Sequence, residues 1–133
     1  MYNLILLDHF QNPRNVGKLE DADGVGLIGD PECGDYMRIS IRVEDWKIVD
    51  IGFLCKGCPA AIASGSATTD LACGMMMEQA MCLTPEDVAQ HLGGLPEDKM
   101  HCSNLGVGAL HYAMADYLHL ISDEQPESDT PQT

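Results

Sequence analysis

The chain has 133 residues, which the simplest reading assigns to one domain large enough to bury a core. Seven Lys and Arg against 21 Asp and Glu give a net charge of −14 at pH 7, a balance that repels phosphate backbones and anionic lipid and so argues against nucleic acid and membrane surfaces as partners. Hydrophobic residues make up 45% but aromatics only 5%, so the core is expected to rest on aliphatics, alanine and methionine.

In chain order, the first predicted element is a short helix over Tyr2–Phe10, stopped by Asn12-Pro13. The opening MYNLILLDHFQNP has no basic region before its apolar run and no small-residue cleavage site, so it does not read as a signal peptide. GVGLIG, Gly24–Gly29, is a short strand candidate. In Tyr36–Val43 the residues Met37, Ile39, Ile41 and Val43 alternate with Arg38, Ser40 and Arg42, the pattern of a half-buried strand. A turn at Glu44–Lys47 leads into a strand over Ile48–Cys55, with Val49, Ile51, Phe53 and Cys55 read as its inward set. Pro59 suits a first helical position, and the small-residue run from it to Cys73 reads as a helix ended by Gly74. Thr84 with Glu86 and Asp87 marks another helix start, ended by Gly93-Gly94. The longest helix candidate is Ser103–Ile121, with Gly106 and Gly108 weakening its first turns. The expectation is an α+β domain over residues 1–121: an N-terminal helix, a three-stranded antiparallel sheet, then helices packed on one face. Residues 122–133, SDEQPESDTPQT, are acidic and proline-containing and read as a disordered tail.

No apolar run approaches the roughly 20 residues that span a bilayer. Without a secretion signal the expected compartment is the cytoplasm, where six cysteines point to metal binding or thiol chemistry rather than disulfides. Cys33, Cys58 and Cys102 stand at element boundaries, where side chains from distant segments can converge. Cys58 and Cys102 are both placed near helix N-termini, whose free N–H groups and dipole favour thiolate. Asp35 and His101 add an oxygen and a nitrogen ligand beside them. Cys55, Cys73 and Cys82 read as small buried hydrophobes, Cys55 in phase with Phe53, and GMMMEQAM reads as adaptable packing. His9, His91, His111 and His119 read as surface or satisfied histidines. On the residues alone, Cys33, Asp35, Cys58, His101 and Cys102 make a metal or thiol site of unspecified kind. A Cys55–Cys58 redox pair is weak because it lacks a βαβ setting.

Four pieces in order give the chain a recognisable cast: DHFQNPRNVG, ECGD around Cys33, KGCPAAIASGSA around Cys58 and KMHCSNL around Cys102. It resembles the IscU/NifU-type iron–sulfur cluster assembly scaffolds from about Tyr2 to Tyr117. The resemblance implies that Cys33, Cys58 and Cys102 are scaffold cysteines, that Asp35 and His101 complete the ligand set, and that Cys102 accepts persulfide sulfur. It implies sulfur from a cysteine desulfurase, iron from a donor such as a frataxin-like protein, a transient [2Fe–2S] cluster passed to apo-proteins, and no independent turnover. A zinc-bound sulfur acceptor serving a desulfurase is the alternative within the same resemblance, with zinc in the protein as purified. Departures are LPEDK, Leu95–Lys99, where many members carry LPPVK for an Hsp70-type chaperone, and KGCPAA with the extra Cys55 where many carry YGCGSA. The two acidic residues in LPEDK argue against chaperone recognition.

Overall fold

Asn3 opens the first helix by accepting the Leu6 N–H on its side-chain oxygen at 2.8 Å, so α1 spans Leu4–Gln11 rather than starting at Tyr2. A computed structural model describes residues 3–29 and 34–122, apart from the side chains of residues 98 and 120–122. The expected tail lies outside the described residues, except Ser122, which closes the last helix.

Strand β1 covers Gly24–Gly29, β2 Tyr36–Glu44 and β3 Lys47–Lys56, joined antiparallel in the order β1-β2-β3. A two-residue turn links β2 to β3 with Asp45 and Trp46 at φ of 53° and 67°, the mirror-type hairpin whose twist matches that of the strands. Alternation in β2 holds on the inner face, where Met37, Ile39, Ile41 and Val43 are buried. The outer face is not simply solvated. Ser40 is fully buried there and its hydroxyl accepts the Leu19 N–H, because the segment between α1 and β1 lies over that side. In β3 the expected phase fails at its start. The pairing runs evenly to Arg42↔Asp50, then slips so that Val43 faces Ile48. Val49 is the surplus residue of that bulge and is exposed, while Ile48 turns inward and is buried.

Helix α2, Pro59–Ala72, is built almost wholly of small residues and is buried on most sides. It lies between β3, α1 and the long helix α5, Met100–Ser122. Gly65 permits this closeness, since a Cβ there would come within 2.6 Å of the Phe53 ring. The two glycines expected to weaken α5 sit inside it instead. Gly106 backs directly onto Thr68 of α2 and Gly108 onto Ile28 of β1, so lost helix propensity is offset by close packing. Helix α5 begins at Met100, three residues earlier than expected, following a single 3-10 turn at Glu97–Lys99. Two short helices fill the gap between α2 and α5. Helix α3, Met77–Met81, arises where only packing was expected, and α4, Pro85–His91, carries the anticipated Thr84 cap, with Thr84 and Asp87 bonded reciprocally.

The main core joins the inner sheet face to Ala109, Leu110, Ala113 and Met114 of α5. A second cluster, with Leu6, Ala63, Val88 and Leu92, holds α1, α2 and α4 together. DHFQNPRNVG has a definite structural task. His9 Nδ1 lies 2.8 Å from Ser66 Oγ, which also accepts the Arg14 N–H. Just beyond, Asn15 and Gly17 exchange backbone hydrogen bonds with Phe53 of β3 at 2.9 and 2.8 Å.

Candidate metal centre

Strand β3 ends at Lys56, and one glycine later Cys58 stands as the N-cap of α2 in extended conformation. Pro59 follows at the first helical position, where its missing N–H costs nothing and its ring commits the chain to turn. The Cys58 sulfur therefore stands at the N-terminal end of α2, near the first-turn N–H groups. Burial opposes its ionisation, but the Ala61 N–H, the Cys102 thiol, the Ala60 N–H and the Lys99 ammonium together outweigh it, and the pKa is lowered. The expected thiolate bias at Cys58 is present.

At Cys102 that expectation is overturned. Because α5 starts at Met100, Cys102 lies within its first turn with its side chain turned inward, 1% exposed. Burial, then the neighbouring Cys58, push its thiol up to about 12. The two sulfurs are 3.8 Å apart, so each lies within hydrogen-bonding reach of the other. His101 projects beside them, its Nε2 3.7 Å from the Cys102 sulfur and its ring exposed. Asp35 precedes β2 and lies across from the turn before Cys58: a Cβ on Gly57 would stand 3.8 Å from its Oδ2. Cys33 lies outside the described residues.

Cys55 is not the plain core residue its phase suggested. It is half-buried and packs in one cluster with Cys58, Cys102, Ala60 and Ala61. Burial, then the charges of Asp35 and Cys58, push its thiol up to about 11. The signal was there in its spacing: three residues before a helix-capping cysteine, the last turns of a strand cannot carry it far. Cys73 and Cys82, also read as buried, are exposed, because each falls just past the end of a helix. His9 and His111 are satisfied as expected, by Ser66 and by the Ala80 carbonyl.

Cys58, Cys102 and His101 bring two sulfurs and an imidazole nitrogen together where the chain enters α2 and α5, with the Asp35 carboxylate across the Gly57 turn, residue types that suit a soft or borderline metal. The fold and these residues describe a small α+β protein in which two cysteines from distant segments meet at helix entrances. The model of the NifU-like N terminal domain family matches residues 1–123, and the chain belongs to that family. The chain is 56% identical over 117 residues to iron-sulfur cluster assembly scaffold protein IscU 1 of Archaeoglobus fulgidus, spanning 88% of this chain and 76% of that one. It is 50% identical over 119 residues to the scaffold protein IscU of Aquifex aeolicus, with 88% and 76% covered. The N-terminal part of a NifU-like protein from Brucella abortus shares the fold, with a TM-score of 0.66 at 17% identity over 87% of this chain and 93% of that one. The Archaeoglobus and Aquifex relatives are called scaffold proteins. Among the described residues no helix is long and apolar enough to cross a membrane.

Proposed function

We propose that this protein is a scaffold on which an iron–sulfur cluster is assembled and from which it is handed to apo-proteins. The observation that supports it best is the pair of sulfurs 3.8 Å apart at two helix entrances, with His101 and Asp35 beside them. Fe–S clusters are held by thiolates. A set of Cys33, Cys58 and Cys102 completed by Asp35 or His101 grips less firmly than four cysteines, which suits a cargo that must leave. In this reading the cargo is a [2Fe–2S] cluster, and the protein turns over no substrate by itself.

Sulfur arrives on a cysteine desulfurase as a persulfide. In this reading docking of the desulfurase opens the first turn of α5, so that Cys102, buried in the free protein, loses its proton and attacks the outer sulfur. The desulfurase S–S bond breaks, Cys102 carries the new persulfide, and the desulfurase cysteine leaves as thiolate, with no net oxidation. Partners are then the desulfurase, an iron donor of frataxin-like kind and apo Fe–S proteins in the cytoplasm. LPEDK gives an Hsp70-type chaperone no matching segment.

Anaerobic incubation with iron, cysteine and a desulfurase tests this. Cluster absorbance in the visible region should develop, persist in Cys55→Ala and vanish in Cys58→Ala. Sulfur uptake with tightly bound zinc and no such absorbance would replace the scaffold by a zinc-bound sulfur acceptor, using the same cysteines and Asp35. Normal sulfur uptake by Cys102→Ser would remove the acceptor role from Cys102.

A further inference from the structure

Toward the other end of α2 from the cysteines, three helices bring together side chains that the scaffold reading does not use. His9 comes from α1, Asp70 from α2 and His91 from α4, and one ligand atom of each lies within 4.8 Å of the others. Asp70 is 12 residues along the chain from Cys58, about 18 Å at the helical rise of about 1.5 Å per residue, so this cluster is separate from the cysteine centre. From these positions we infer a second metal site, made of His9, Asp70 and His91, for a borderline divalent cation of the zinc or ferrous class.

His9 is oriented by a group outside the cluster, and His91 and Asp70 by each other. Ser66 Oγ holds His9 Nδ1 at 2.8 Å, which leaves Nε2 as the nitrogen for a metal; that atom makes no hydrogen bond among the described residues. A hydrogen-bond partner on the far nitrogen, most often a carboxylate, carbonyl or water and here a hydroxyl, fixes a ligating imidazole in tautomer and direction. The same oxygen also accepts the Arg14 N–H at 2.9 Å, which its two lone pairs allow. His91 Nε2 lies 3.1 Å from Asp70 Oδ2, about the separation of two neighbouring donors on one tetrahedral ion. In the metal-free chain a proton holds that pair; a cation replaces it.

The helices that carry the ligands are locked to each other. Leu6, Ala63, Val88 and Leu92 form an apolar cluster between α1, α2 and α4. Asn3, the cap of α1, donates from its amide to the Gly94 carbonyl just past α4 at 3.2 Å. The His9 and His91 rings already meet edge-on, with centroids 5.5 Å apart. Little motion is needed to close three donors on an ion, so binding is not preceded by much ordering.

The donor set selects the class of ion. Two imidazoles with one carboxylate suit zinc and ferrous iron, whereas magnesium and calcium prefer all-oxygen sites. Three protein ligands leave a position for water, as at open rather than purely structural sites. Access is available: His91 and Asp70 are 34% and 42% exposed, and His91 also lines a surface cavity of about 750 Å³ bounded by Leu71 and Gln79. A net charge of −14 draws cations toward the surface.

The test uses the full chain and zinc ions, followed by NMR of the histidine side chains. In the native chain, signals of His9 and His91 should move with saturating zinc while those of His111 and His119 stay. Asp70→Asn and His91→Gln, both at partly exposed positions, should weaken that response at least about tenfold. The thermal midpoint of the native chain should rise with zinc more than that of either variant. His9 and His91 signals unmoved at excess zinc would overturn the site, as would equal movement in Asp70→Asn. Cluster assembly at the cysteines should survive Asp70→Asn, so loss of the second site and loss of the scaffold function are separately visible.

Discussion

Cys58 and Cys102 hold their sulfurs 3.8 Å apart across 44 positions of sequence, yet their acidities are shifted in opposite directions, Cys102 upward chiefly by burial and Cys58 downward, against burial, chiefly by the Ala61 N–H. Cys58 stands at the first-turn N–H groups of α2, whereas Cys102 is buried beside Ala60 and Ala61. Of the two, Cys58 is the more readily ionised.

Alkylation of the metal-free protein should report this asymmetry. Thiolate is the reactive form, so a lowered pKa makes Cys58 reactive at lower pH than an ordinary cysteine. Cys102, at about 12 and 1% exposed, should stay unmodified across the neutral and mildly alkaline range. Peptide mapping after timed iodoacetamide treatment at pH 8 should show Cys58 labelled at least about tenfold faster than Cys102. Comparable labelling would mean that the first turn of α5 opens readily.

Asp35 stands exposed beside the turn that delivers Cys58. A carboxylate is a harder and more exchangeable ligand to iron than a thiolate. Asp35→Ala should therefore retain a reconstituted cluster longer and pass it more slowly to an apo-ferredoxin. Transfer followed by circular dichroism checks this, and unchanged kinetics would exclude Asp35 from release.

Gly65 leaves room for Phe53, whose ring a Cβ would meet at 2.6 Å. Phe53 is itself 2% exposed and has nowhere to go. Gly65→Val should cost about 1–3 kcal/mol by overpacking. Urea unfolding should show a lower midpoint with an unchanged slope.

Ser66 serves both His9 and the Arg14 backbone. Ser66→Ala strands both groups while barely changing volume, and should lower stability by about 1–3 kcal/mol. Thr69→Ala, which also loosens the Asn15 side chain, should behave similarly. Hydrogen exchange should show the loss concentrated in α1 and in residues 14–17.

The strands and the helix starts were readable from local chemistry. Glycines bracket β1 at the limits expected, alternation marks the inner face of β2, and Thr84 with Asp87 announces α4. What escaped depends on partners far along the chain. The bulge at Val49 follows from fitting β3 to β2 and leaves no mark in β3's own pattern. Ser40 reads as an outward polar residue until the chain near Leu19 covers it. Glycines 106 and 108 look like helix breakers until α2 and β1 are seen against them. Four of the five expected ligands stand among the described residues, and structure adds Cys55 to their surroundings. His9, Asp70 and His91 were invisible as a group, since nothing local links three residues on three helices.

The backbone of Asn15 and Gly17 laid along Phe53 has a further effect, together with the Asp116 carboxylate that takes the Val25 N–H on the opposite side of the sheet. At these points both backbone groups of Phe53 in β3 and the Val25 N–H in β1 are already taken, which hinders a visiting chain from extending the sheet there. Partners that deliver sulfur or collect a cluster must instead recognise loops, helix ends and side chains. Docking is thereby steered away from the flanks of the sheet and toward the end of the molecule where the cysteines emerge.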